Sequence, residues 1–309
     1  MSSFTKVLCL LGLPVLMVSL AGCCRIPAAA QNGGGKKMMI EVWHADSLAG
    51  PMNEMKKAFE GKNTNILVNL TSGRSRELAE RILNGDACDV FAPSDPAVVK
   101  NMFGKKVGSK DAASWYVVFS ANELVIITKK GNPRGVKQMT DLVTEGIKLA
   151  RVTGEKDMAT NRTIEFIKRA TAAEGKPDVS QKIIDGAVRE NTIPDVLMAV
   201  KSGKADAGIV YLSAAVTVAD ETDIISFPAK VNLSENIRNV VTIPGTAKNI
   251  NAANNFIKLI LSAEGRQILK KTGQPPIVPP IREGNVPDIL WSFFLDRNVP
   301  SSPVPPLAG

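Results

Sequence analysis

The sequence predicts an α/β protein in which mostly parallel sheets are flanked by helices. Three observations carry this. From Met38 onward short apolar runs alternate with amphipathic stretches, and the strand-to-helix junctions are small and polar. The 309 residues also suffice for two domains, each with its own core.

The elements follow in order. "MMIEVWHA" from Met38 reads as a buried strand, and "MNEMKKAFEG" as a helix with Met52, Met55 and Phe59 on one face. "NILVNL" is the next strand, and "RELAERILNG" a helix with Leu78 and Ile82 four apart and Gly85 as its stop. "CDVFAP" and "NELVIITKKGNP" are strands, the second ended by Gly131 and Pro133. "IKLARV" leads to the helix "TIEFIKRATAAEG", and "AGIVYLS" follows the helix "PDVLMAVKSGK". "NNFIKLILSAEGRQILKKTG" reads as one long helix with Gly265 inside it. In the last stretch, from Gln274, prolines argue against regular elements over most of its length, apart from a short helix "PDILWSFFL" opened by Pro287.

Composition removes several classes. The net charge of +8 is spread along the chain, and aromatic residues make up 5%. A nucleic-acid surface needs a basic stripe with interleaved aromatics, and the sequence has none; a mild cationic excess suits a small anion. No His, Cys and carboxylate cluster has metal-ligand spacing. Of four cysteines, Cys9, Cys23 and Cys24 lie in the first 24 residues and only Cys88 in the folded part, so no intramolecular disulfide is expected there. Cys88 reads as a small core residue, with a reactive thiol as the alternative.

The opening "MSSFTKVLCLLGLPVLMVSLAGCC" has one cation, Lys6, and an apolar run too short to span a bilayer. It closes on "LAGC", which resembles a bacterial lipobox. Residues 1–22 are then a lipoprotein signal peptide and Cys23 the lipidated residue, with ordinary cleavage after "PAAA" as the alternative. Residues 23–37 read as a flexible tether. This places the protein in the periplasm or at the cell surface, held to the membrane by lipid alone.

Four junctions, "HADSLAG", "TSGRSREL", "GEKDMATNRTI" and "ENTIPDVL", put small or polar residues ahead of a helix. The first backbone N–H groups of a helix have no intrahelical partner and carry the positive end of its dipole, so such a turn can hold an anion. Taken alone, Ser47 and Ser75 also fit the ordinary role of N-cap.

"HADSL", "SGRSRELAERILNGDACDVFAPSD", "NELVIITKKGNP", "DAGIVYLSAA" and "LILSAEGRQILKKTG" together resemble the molybdate- and tungstate-binding proteins of bacterial ABC importers, within the type 2 periplasmic-binding-protein class. The resemblance runs from about Met38 to Pro276. It implies two lobes joined by two hinge strands near Asn122–Thr128 and Asn239–Ile243. Residues 38–121 with 239–285 would form lobe I, residues 122–238 lobe II, and 286–309 a proline-rich arm. It also implies an oxyanion ligand, a permease partner in the inner membrane, a monomer and no cofactor. Carried over by position, Ser47, Ser75 and Tyr211 are ligand-binding, with two further amides near Asn161 and Ile193. Tyr211 also fits a core tyrosine at a strand end.

Two departures bear on the ligand. Thr160, Asn161 and Arg162 stand where the family commonly has a proline-small-glycine run, and Asp46 stands where it has a small apolar residue. Arg74, Arg76 and Arg162 would add charge-assisted contacts near the ligand. Asp46 would repel a fully ionised anion or accept a proton from a protonated one; alternatively it pairs with His44 or a nearby arginine. Phosphate, sulfate, arsenate or a small organic acid therefore stay open as ligands. A serine hydrolase is the competing class. Its triad would have to use His44, the chain's one histidine, three residues from Ser47 and two from Asp46, an adjacency unsuited to the three directions a triad needs, and no Gly-x-Ser-x-Gly elbow occurs.

Overall fold

A computed structural model describes residues 37–154 and 158–295. The expected signal peptide, Cys23, all but the last residue of the tether and residues 296–309 of the arm lie outside the described residues.

Buried apolar side chains gather into four clusters. Two draw on residues 40–119 and 240–290, and two on residues 124–237. The first pair surrounds β1 (Met38–Ala45), α1 (Ala49–Lys62), β2 (Ile66–Gly73), α2 (Ser75–Leu83), β3 (Val90–Ala92) and α3 (Pro96–Lys100), followed by a small hairpin of β4 (Lys106–Val107) and β5 (Lys110–Asp111). The chain then runs through β6 (Trp115–Ala121) and crosses into β7 (Leu124–Lys129). The second pair of clusters is completed by β8 (Leu149–Val152), α4 (Met158–Ala173), α5 (Ser180–Gly186), β9 (Val188–Glu190), α6 (Ile193–Ser202), β10 (Ala207–Tyr211), α7 (Leu212–Ala215), β11 (Thr222–Ile225) and α8 (Ala229–Asn232). Return is by β12 (Arg238–Val241), then α9 (Ile250–Leu261), α10 (Ala263–Lys271) and β13 (Pro276–Gly284).

The fold is α/β with two lobes, and its sheets are mixed. In the first lobe β1 lies between β2 and β3, all parallel, because each helical crossover returns the chain to the same end. A second sheet, β12-β6-β13, is antiparallel. In the other lobe β8, β9, β10 and β11 run in one direction, and β7, between β11 and β10, runs against them. The two crossings touch: the Asn122 N–H donates to the Ile237 carbonyl at 3.1 Å, and Arg238 pairs with Ala121.

Three local expectations need correction. The stretch from Gln274 contains a nine-residue strand, β13. Its register jumps between Pro276 and Ile281, so Pro279 and Pro280 fall in an irregular part of an edge strand, where a missing N–H costs no ladder bond. The long C-terminal helix is two helices. Ser262 ends α9 and caps α10, accepting from the Gly265 N–H at 3.1 Å. Gly265 is required there because a Cβ would lie 2.1 Å from the Leu259 carbonyl oxygen. The short helix opened by Pro287 is a 3-10 segment, Asp288–Phe293, whose Leu290 packs into the first core.

Candidate ligand-binding site

The two serines stand at adjacent strand ends. Ala45, the last residue of β1, pairs with Gly73, the last of β2, and each serine follows two residues later. Since β2 and β3 flank β1 on opposite sides, the chain reverses its direction of travel across the sheet here. Ligands of open parallel sheets sit in the crevice at such a point.

Neither serine caps a helix. Ser47 is the middle residue of a 3-10 turn, Asp46–Leu48, whose start has no side-chain cap. Ser75 is the first residue of α2, and its N-cap, Arg74, makes no side-chain cap bond. The first helical bond of α2 runs from the Leu78 N–H to the Arg74 carbonyl at 3.0 Å, so the amides of Ser75, Arg76 and Glu77 precede the ladder. Ser75 Oγ accepts from the Ser94 N–H at 3.2 Å, which leaves its own O–H to donate outward.

Asp46 is exposed and, among the described residues, forms no ion pair with His44 or an arginine: its Oδ1 accepts from Ser72 Oγ at 2.6 Å. Sequence reading missed Ser72, which comes to Asp46 because β1 and β2 place His44 opposite Ser72. His44 is 2% exposed and its Nδ1 lies 2.9 Å from the Ala45 carbonyl, to which it donates. Burial pushes its pKa below the ordinary 6.5 against the opposing pull of that bond and of Asp46. A neutral, strand-bound imidazole whose neighbouring carboxylate is engaged elsewhere is no triad.

The expected surroundings divide. Arg74 extends into solvent against Glu77 at 3.1 Å, and Arg76 is exposed. Across from them, the half-buried Arg162 donates from Nη1 to the Tyr211 hydroxyl at 3.3 Å. Tyr211 closes β10, is half-buried, and packs its ring against the core of its own lobe. The next element, α7, packs against the turn that holds Ser47, which puts the Tyr211 end of β10 on the same face as the serines.

Asn161 and Ile193 differ in kind. The described part of α4 starts at Met158, ahead of the sequence pattern, so Asn161 lies exposed within a helix instead of in a turn. Ile193 opens α6 after the cap Thr192. Asp195 accepts from the Thr192 N–H at 3.0 Å and donates its own N–H to Thr192 Oγ at 3.2 Å. Pro194 has no N–H, so Ile193 contributes the one amide of that turn outside the capping box.

Cys88 is a core residue: its thiol donates to the Val90 carbonyl at 3.2 Å, and burial pushes its pKa up. Among the described residues no group of three or more His, Cys, Asp and Glu is placed to hold a metal ion, and no helix is long and apolar enough to cross a membrane.

A two-lobed α/β fold with uncapped helix starts gathered at strand ends defines a binding protein. Residues 40–274 match the bacterial extracellular solute-binding protein family, and the chain belongs to it. It is a solute-binding protein and not an enzyme. It is 28% identical to the molybdate-binding protein ModA of Mycobacterium tuberculosis over 261 residues, covering 84% of this chain and 94% of that one. A substrate-binding domain assigned to a molybdenum ABC transporter of Clostridium difficile superposes with a TM-score of 0.64 at 23% identity, over 78% of this chain and 100% of the other. The periplasmic molybdate-binding protein of Azotobacter vinelandii gives 0.55 at 18% identity, over 76% and 98%.

Proposed function

We propose that this protein captures a tetrahedral oxyanion, molybdate or tungstate, between its two lobes and delivers it to the membrane permease of an ABC importer. The observation that carries the reading is the pair of uncapped starts, at Asp46–Leu48 and at α2, side by side at the ends of β1 and β2. Their amides and hydroxyls are donors without a capping duty, and the helix dipole makes that point favourable for negative charge. Ser47 and Ser75 hold the ligand from one lobe, and the Ile193 amide and the Tyr211 hydroxyl from the other. Arg162, already on Tyr211, supplies a balancing charge, and the amide near Asn161 is left out of the set. Lobe I is residues 38–121 with 239–285 and lobe II residues 122–238, closing about the crossings. The protein acts as a monomer outside the cytoplasm, tethered through Cys23. Similarity to ModA supports the choice of ligand.

A thermal-shift panel of molybdate, tungstate, sulfate, phosphate, arsenate and small carboxylates, on protein lacking residues 1–24, tests this. A ligand that binds only the native state stabilises it by mass action, by about 2.7 kcal/mol at one hundred times its Kd, and so raises the midpoint. Molybdate and tungstate are expected to give the largest shifts; no shift with any oxyanion would sink the reading. One observation favours a second reading. The Asp46 carboxylate beside Ser47 is an acceptor that a protonated anion could meet, and phosphate or arsenate shifting the midpoint more than molybdate would establish it.

A further inference from the structure

Away from the cleft, three carboxamides and the Ser120 hydroxyl lie buried where the strands cross, with the half-buried Ser213 beside them. Ser120 ends the run of β6 before Ala121, Asn239 belongs to β12, and Gln274 leads from α10 into β13; all three are 0% exposed. Asn239 Nδ2 donates to Ser120 Oγ at 2.9 Å and to Gln274 Oε1 at 2.8 Å. Gln274 Nε2 donates to the backbone carbonyl of Ser47 at 2.7 Å, a contact between residues 227 positions apart. Beside this chain Asn122 Nδ2 donates to Ser213 Oγ at 2.9 Å, on the first turn of α7.

The polarity of the chain is set at its far end. A carbonyl only accepts, so Gln274 must present its NH2 to Ser47 and its oxygen to Asn239. Asn239 must then donate, and its own Oδ1 is left buried without a partner. A core selected for stability alone would replace such a half-satisfied network by apolar side chains. Its presence here points to a demand on position. The approach is close as well: Gly273 has φ +69°, and a Cβ there would lie 2.7 Å from the Leu212 carbonyl oxygen.

We infer that Gln274 is a positioning residue for ligand capture: it clamps the Ser47 carbonyl, aims the amides of the 46–48 turn, and ties that turn to the crossing strands. The inference rests on the site proposed above. It makes Gln274 the link through which movement at the crossing and occupancy of the Ser47 turn reach each other.

The test replaces Gln274 by methionine, of similar volume, and by alanine as a second variant, in the full-length chain. Two readouts are taken: hydrogen exchange of the Ser47–Ala49 amides without ligand, and molybdate affinity by calorimetry. Gln274→Met is expected to speed exchange at these amides and to weaken molybdate by on the order of tenfold, the worth of one hydrogen bond. Combined with Ser47→Ala the losses should be less than additive, and with Ser75→Ala additive. Unchanged exchange and unchanged affinity would overturn the inference, as would equal additivity with both serines, which marks a general structural role. If the wild type binds no molybdate, the functional reading falls, and the exchange arm still judges Gln274.

Discussion

Ser75 holds its hydroxyl oxygen against the Ser94 N–H and so keeps its proton for a guest, while Ser47 stands in a turn with no cap to serve. Ser47→Ala and Ser75→Ala should each weaken oxyanion binding by about 1–3 kcal/mol, because each leaves a ligand oxygen without its donor in a dry site. Calorimetry checks this; wild-type affinity in both variants would remove the serines from the ligand. His44 supplies a different prediction. Burial lowers its folded pKa below 6.5, so the unfolded chain takes up its proton first as pH falls. Its contribution to stability is therefore complete above pH 6.5 and declines below it, until the folded imidazole also titrates. Chemical denaturation between pH 7.5 and 5 should show this loss, and His44→Gln should flatten it. Both serines stood out in the sequence because they are small polar residues just ahead of a helix, and His44 because it is the chain's one histidine. The Ser72 partner of Asp46 did not, since nothing local marks which residue a neighbouring strand will bring opposite.

At the scale of elements, the break between α9 and α10 depends on one glycine and one serine. Ala at 265 must displace the Leu259 and Ile260 carbonyls, which a Cβ would approach to 2.1 and 2.4 Å. Gly265→Ala should cost roughly 1–3 kcal/mol, and more if the backbone cannot shift. Ser262→Ala removes a cap and should cost about 1 kcal/mol. Each kcal/mol should lower the melting midpoint by about 2–4 °C in a domain of this size. A Gly265→Ala midpoint equal to wild type would show that the kink is not tight. The sequence read as one helix because "FIKLIL" and "GRQILKK" keep a continuous helical pattern, and a serine cap inside that pattern is locally indistinguishable from an exposed helix residue. β13 escaped notice for the opposite reason: proline is a poor strand former only where a partner needs its N–H, and an edge strand with a register jump does not. The early start of α4, by contrast, moved Asn161 from a turn into a helix, since "MATNR" is compatible with either.

For the whole molecule, closure is the measurable consequence. Two cores joined by crossings that hydrogen-bond to each other allow the lobes to rotate as bodies while the cores stay packed. Saturating molybdate should therefore reduce the radius of gyration in small-angle scattering, with secondary structure unchanged by circular dichroism. An unchanged radius at full occupancy would mean that the ligand binds without closure. The net charge of +8 favours approach of a dianion, so the association rate should fall as salt is raised.

By itself the amino-acid sequence determined the alternation of strands and helices, the small polar junctions at Ser47 and Ser75, and the absence of a workable triad around His44. These are local properties, written in periodicity and in the few residues around each turn. Only the tertiary structure decided which distant groups meet: Ser72 with Asp46, Arg162 with Tyr211, and Gln274 with the Ser47 carbonyl. Such contacts depend on strand register and on the path of the chain across two lobes, and a hydrogen bond between residues 227 apart leaves no periodic trace in the sequence that makes it.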